Sequence, residues 1–98
     1  MPIDKILSAH ERISILHCLA AMDDYAANHQ IIQSVCEQYG NGMTSDKIVT
    51  HLAWLKEQGL VTVEVVGNYT IARLSQRGLD TEQGKATVPG VKRPSPRV

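Results

Sequence analysis

The chain has 98 residues, ten basic and ten acidic side chains, no Phe, one Trp and two Cys. That length makes one small domain, and the shortage of aromatics implies a core of Ile, Leu, Val, Ala and Met. No apolar run is long enough to span a bilayer, and Met1-Pro2-Ile3-Asp4-Lys5 lacks the basic-then-apolar order of a secretion signal, so a cytoplasmic protein is expected.

Ser8-Ala9-His10-Glu11 has the form of a capping box, with Ser at the cap and Glu three residues on. Ile13, Leu16, Leu19 and Ala20 then fall toward one side, which predicts a first helix over residues 8–22. Residues 3–7 either extend that helix or form a separate turn. Asp23-Asp24-Tyr25 breaks the pattern as a loop. Asn28 can cap a second helix over residues 29–39, whose apolar side is Ile31 or Ile32 with Val35, Cys36 and Tyr39. Gly40-Asn41-Gly42 ends it, and Met43 is a buried anchor in the connection.

Thr44 or Ser45 caps the third helix, where Ile48, Leu52, Leu55 and Gly59 repeat at helical spacing. Gly59 can take the left-handed conformation that closes a helix. Val61-Thr62-Val63-Glu64-Val65-Val66 follows as a strand, Gly67-Asn68 as a two-residue turn, and Tyr69 to Leu74 as the return strand. With Val66 opposite Tyr69, the residues Val61, Val63, Val65, Ala72 and Leu74 share the core face. A slip of one residue would turn the valines to water, so this register is well specified. Ser75 caps a short fourth helix that Gly84 ends.

Residues 1–84 hold six basic and ten acidic side chains, a net of −4, whereas residues 85–98 hold four basic ones and no acid. Three prolines within residues 89–96 forbid helix there. The division is therefore a domain over residues 1–85 and a Pro-rich basic arm over 86–98. Such an arm suits either nucleic acid or an acidic protein surface, its own or a partner's.

Helix, tight stop and hairpin in this order form the layout of a winged helix-turn-helix: mainly α with a small antiparallel β-hairpin, an α+β domain. The third helix of that layout is the one that enters a DNA major groove. Lys47, Thr50, His51 and Trp54 are read as lying off its apolar stripe. Lys47, Thr50 and His51 are the candidate groove contacts, with Lys92, Arg93 and Arg97 on phosphate. Groove-reading helices usually offer Arg, Lys, Asn or Gln; here only Lys47 is cationic. Trp54 is open to three roles: packing at the core edge, a protein or dimer contact, or a nucleic-acid contact. As surface residues, Lys47 and His51 should tolerate alanine within about 0.5 kcal/mol, while Leu52→Ala and Leu55→Ala should cost about 2–5 kcal/mol.

His10, His17, His29 and His51 match no metal spacing. Cys18 and Cys36 stand among apolar residues and not as Cys-x-x-Cys; buried reduced thiols are expected, and a redox or metal-sensing pair would need their helices to bring them together. Gly40-x-Gly42-x-x-Ser45 follows a helix and lacks the third glycine of a dinucleotide fingerprint. No nucleophile–base pattern or phosphate loop is present. No enzymatic activity, cofactor or small-molecule ligand is expected.

Leu52-Ala53-Trp54-Leu55-Lys56-Glu57-Gln58-Gly59-Leu60-Val61 resembles the recognition-helix-to-wing passage of bacterial winged-helix regulators of the MarR and ArsR type. Leu74-Ser75-Gln76-Arg77-Gly78 is similar to the Leu-Thr-x-x-Gly that follows their wing. Basic residues common there near positions 50, 53 and 54 are missing here, as is the cysteine metal motif of the ArsR sensors. Leu52 to Leu55, Glu57 to Val61, Arg77-Gly78-Leu79-Asp80 and Val88-Pro89-Gly90-Val91-Lys92-Arg93-Pro94 also resemble a family of small winged-helix proteins of Mu-like phages and prophages. These resemblances imply a phage-encoded DNA-binding regulator, homodimeric, acting on double-stranded DNA in the cytoplasm of the bacterial host. The alternative is a protein-interaction module of the same fold that does not bind DNA.

Overall fold

A computed structural model describes residues 3–94. Its elements are α1 (Ile3–Ala21), β1 (Ala26–Asn28), α2 (His29–Gln38), α3 (Ser45–Glu57), β2 (Val61–Val66), β3 (Tyr69–Leu74) and α4 (Gln76–Glu82). Four helices and a three-stranded antiparallel sheet of order β1-β3-β2 make an α+β domain.

The passage from α3 to β2 is closed as its sequence demands. Thr44 accepts a hydrogen bond from the Lys47 amide at the start of α3. At its end the Leu60 amide donates to the Leu55 carbonyl and the Gly59 amide to the Lys56 carbonyl, a Schellman motif. Gly59 stands at φ +76°, where a side chain would be strained. Leu60 is thereby turned inward and fully buried, and β2 starts one residue later. The β2–β3 register pairs Val66 with Tyr69 and Val61 with Leu74. Gly67 alone of the two turn residues has positive φ, as in a type II′ hairpin turn.

The core joins all three long helices to the sheet. Ile15, Leu16, Cys18 and Leu19 of α1 pack with Ile32 and Cys36 of α2, Ile48, Leu52 and Leu55 of α3, and Ala72 of β3. Met43 is buried in the connection, and Cys18 and Cys36 are free, buried thiols. Burial pushes them up to about 11 and about 12 respectively, so both stay protonated.

Residues 3–7 extend the first helix, one of the two expectations for them: it begins at Ile3 among the described residues, and Ile3, Ile6 and Leu7 project from it into solvent. Other expectations are corrected. Of the second helix's expected apolar side, Ile32 and Cys36 are buried but Ile31 and Tyr39 are exposed, because α2 meets the body only along a narrow stripe. The valine face of the hairpin is buried only at its base: Val61 is buried, whereas Val65 is 70 % exposed because the hairpin outruns the helices beneath it. The sheet has a third strand beside the hairpin, β1, whose place Ala26-Ala27-Asn28 does not signal because it has no strand propensity. It forms because the free edge of β3 accepts it, with Ala27 opposite Ala72.

The largest correction concerns the arm. Val88 is 2 % and Val91 8 % exposed, and both belong to the core. The Lys92 amide donates to the Ala9 carbonyl at 3.1 Å, fastening the chain along α1. Residues 88–92 are a strap on the body, so the expected boundary at residue 85 falls inside one packed unit. The valines decide this: prolines stop a helix, but they do not stop two apolar side chains from docking.

Candidate interaction surface

The four α3 residues proposed as groove-facing stand at i, i+3, i+4 and i+7 and share one arc of the helix, but most of that arc is covered. A helix turns about 100° per residue. From the Ile48–Leu52–Leu55 stripe the arc runs through His51, Lys47 and Trp54 to Thr50, which stands almost opposite the stripe and is exposed. The flank formed by His51, Lys47 and Trp54 is turned to α1 and the strap.

On that flank His51 is only 4 % exposed, so the expectation that it faces a groove is overturned. Its Nε2 lies 2.9 Å from Glu11 Oε1, and its Nδ1 accepts from Arg12 Nε at 3.3 Å. Lys47 is also engaged: its Nζ lies 2.8 Å from the other oxygen of Glu11. Glu11 is 2 % exposed. Burial alone would push its carboxyl up, but the hydrogen bonds and charges of Lys47 and His51 outweigh that and hold it below its ordinary value. Burial pushes His51 down, against the Glu11 hydrogen bond, which pulls it up.

Trp54 is half-buried against the core. The Arg12 guanidinium lies 3.8 Å from its ring centroid, and Arg12 Nη1 donates to the Gly90 carbonyl at 3.0 Å. Of the three roles open to Trp54, the structure shows core-edge packing, with the chain's own strap as its cover.

The remaining candidates are spread apart. Thr50 is exposed and its hydroxyl donates to the Asp46 carbonyl. Lys92 is half-buried on α1, and Arg93 is exposed beside it. Arg97 lies outside the described residues. The outward side of α3 therefore offers Asp46, Val49, Thr50, Ala53, Lys56 and Glu57, all exposed. Beyond it the hairpin tip presents Val65, Val66 and Tyr69, again exposed. This surface carries two acids and one base around apolar side chains.

Glu11 and Arg12 were missed as site residues, and a signal existed for the first. Glu11 precedes Ile15 by four and Cys18 by seven, so it stands on the buried stripe of α1. His51, three after Ile48 and four before Leu55, stands on the margin of the α3 stripe in the same way. A second buried carboxylate, Glu82 of α4, lies 2.7 Å from His17 Nδ1. It borders a cleft of about 670 Å³ that Tyr39 and Asn41 also line. Among the described residues no cluster of His, Cys, Asp or Glu is arranged to hold a metal ion, and no helix is long and apolar enough to cross a membrane.

No protein-family model matches the chain. It is 39 % identical over 95 residues to the uncharacterized protein gp26 of Escherichia phage Mu, covering 97 % of this chain and 98 % of that protein. It is 35 % identical over 80 residues to an uncharacterized protein of Haemophilus influenzae, covering 81 % of this chain and 78 % of that protein.

Proposed function

The chain belongs to the family of phage Mu gp26, and we propose that it is a winged-helix protein-interaction module, docking a protein partner through the outward side of α3 and the tip of the β2–β3 hairpin. One observation carries this. The α3 side that would enter a groove has Val49, Thr50 and Ala53 between Asp46 and Glu57, while Lys47 and His51 are held by Glu11. Groove entry needs cations on phosphate and paired donors on base edges; an apolar centre with a mixed-charge rim is the make-up of a protein contact. The partner is a protein of the phage or its host, met in the bacterial cytoplasm. Ile3, Ile6 and Leu7, exposed on the first two turns of α1, are the surface through which two copies would pair as a homodimer.

A second role, a small DNA-binding transcriptional regulator, is favoured by the helix-to-hairpin layout and by exposed Arg93 among the basic residues that end the chain. Lys85, Lys92, Arg93 and Arg97 would meet at most about four phosphates, giving a log K against log salt slope near about −3.6.

Fluorescence anisotropy on random duplex DNA at several salt concentrations separates the two roles. The protein-interaction role predicts no binding at low salt. A photo-crosslinking residue placed at Ala53 should then yield protein adducts and no DNA adduct in cells carrying the phage. Tight binding to duplex DNA, with crosslinks from position 53 to DNA, would overturn the proposal.

A further inference from the structure

Val88, Val91 and the Lys92 amide fasten the two ends of the strap, and the Arg12 contact that holds its middle, Gly90, depends on one imidazole. Arg12 Nε is a permanent donor, so the His51 Nδ1 that it meets at 3.3 Å presents a lone pair. The ring proton then sits on Nε2 and is donated to Glu11 Oε1 at 2.9 Å. His51 is neutral in this arrangement, its tautomer dictated by its neighbours. The same guanidinium holds the Gly90 carbonyl at 3.0 Å and covers Trp54 at 3.8 Å. Gly90 approaches so closely that a Cβ there would lie 2.8 Å from Trp54 Cζ2, and its φ is +95°.

We propose that His51 is a proton-operated latch: protonation at Nδ1 expels the Arg12 side chain, and the Gly90 turn of the strap lifts from Trp54.

A proton on Nδ1 would set two N–H groups against each other across the present 3.3 Å contact. It would also place two cations side by side in a site where Glu11 and His51 are both buried. The charged groups facing His51 are Glu11 and Arg12 from α1 and Lys47 from α3 itself. The strap adds only the Gly90 carbonyl, reached through Arg12. Glu11 favours the incoming proton, but its second oxygen is already matched by Lys47. The cluster therefore goes from a net charge of about +1 to about +2 when His51 is protonated. Glu11 is locked in the interior, whereas Arg12 lies at the rim and can swing to water, so Arg12 is the group that leaves. Burial and the nearby cations lower the His51 pKa, which keeps the latch closed at neutral pH and opens it below the ordinary histidine value of about 6.5. Opening uncovers the Trp54 ring and frees the guanidinium, and it does so whatever the partner of α3 is.

Trp54 is the only tryptophan, so its emission reports the strap directly. The full chain would be titrated from about pH 8 to about pH 5, following acrylamide quenching, emission maximum and far-ultraviolet circular dichroism. Imidazole nitrogen shifts by NMR would follow His51 in the same samples. The expected result is a red shift and increased quenching at unchanged helicity, with one midpoint that coincides with the titration of His51. Gly90→Val should be open at every pH, because no branched side chain fits against the ring. His51→Gln should keep Trp54 covered and abolish the midpoint. Trp54 that stays covered to about pH 5 in folded protein overturns the latch, as does a midpoint that survives in His51→Gln and so belongs to His10, His17 or His29. Gly90→Val protein as resistant to quenching as the wild type at about pH 8 overturns it too. Should His51→Gln fail to fold, coincidence of the two wild-type midpoints decides alone, and unequal midpoints refute the proposal.

Discussion

Replacing Lys47 by alanine probes whether the Glu11 site is an interior ion pair or a surface contact. Glu11 has 3 % of its side chain exposed, and Lys47 42 %. Breaking a fully buried pair by removing one partner costs about 3–5 kcal/mol, because the other charge is stranded. Two features reduce that here. Lys47 is partly solvated, which screens the pair, and His51 still donates to Glu11 Oε1 after the lysine is gone. A loss of about 2 kcal/mol is expected, against under about 0.5 kcal/mol for exposed Lys56→Ala. The pH dependence supplies a sharper signature. In the wild type the folded Glu11 pKa lies below its unfolded value, so its contribution is full above the unfolded pKa and fades as pH falls through the folded one. Without Lys47, burial is less strongly opposed and pushes the carboxyl up. The variant then bears a penalty at neutral pH that protonation relieves, so the gap between variant and wild type should narrow from about pH 7 to about pH 5. Urea titrations at both pH values measure it. A Lys47→Ala protein within about 0.5 kcal/mol of wild type at both would show that Glu11 is not held as described.

Three further outcomes are expected. Leu52→Ala and Leu55→Ala should each destabilise by about 2–5 kcal/mol, since both side chains are fully buried, while exposed Thr50→Ala should be nearly silent in the same urea titration. Cys18 and Cys36, protonated and buried, should not react with a disulfide reagent in native buffer at about pH 8 and should both react in denaturant; rapid native labelling of either would contradict their placement in the core. Gly78→Ala should lower the melting temperature by more than any exposed substitution, because a Cβ there would run into the Leu60 carbonyl oxygen, and backbone cannot rotate away; an unchanged melting temperature would mean that α4 packs differently on the α3–β2 junction.

Apart from β1, the order of the elements and the register of the hairpin were legible in the sequence because short-range chemistry sets them. Asn28, Thr44 and Ser75 cap the three helices that they precede. The turn at Gly67-Asn68 pins the hairpin, and a shift of one residue would exchange its two faces. The stripe of Ile48, Leu52 and Leu55 identified the buried side of α3. What lies on either flank of a stripe depends on which elements arrive there, and that is settled only in three dimensions. His51 and Lys47 read as solvent-facing until Glu11 of α1, some forty residues earlier in the chain, is set against them. Trp54 is open to three roles in the sequence, and the arrival of Gly90 and Arg12 over its ring is what shows it packed at the core edge. The strap itself carries the composition of a free basic arm, and composition describes how well water solvates a segment on average. Two valines joining the core outweigh that average, and only the packed structure contains the place they fill.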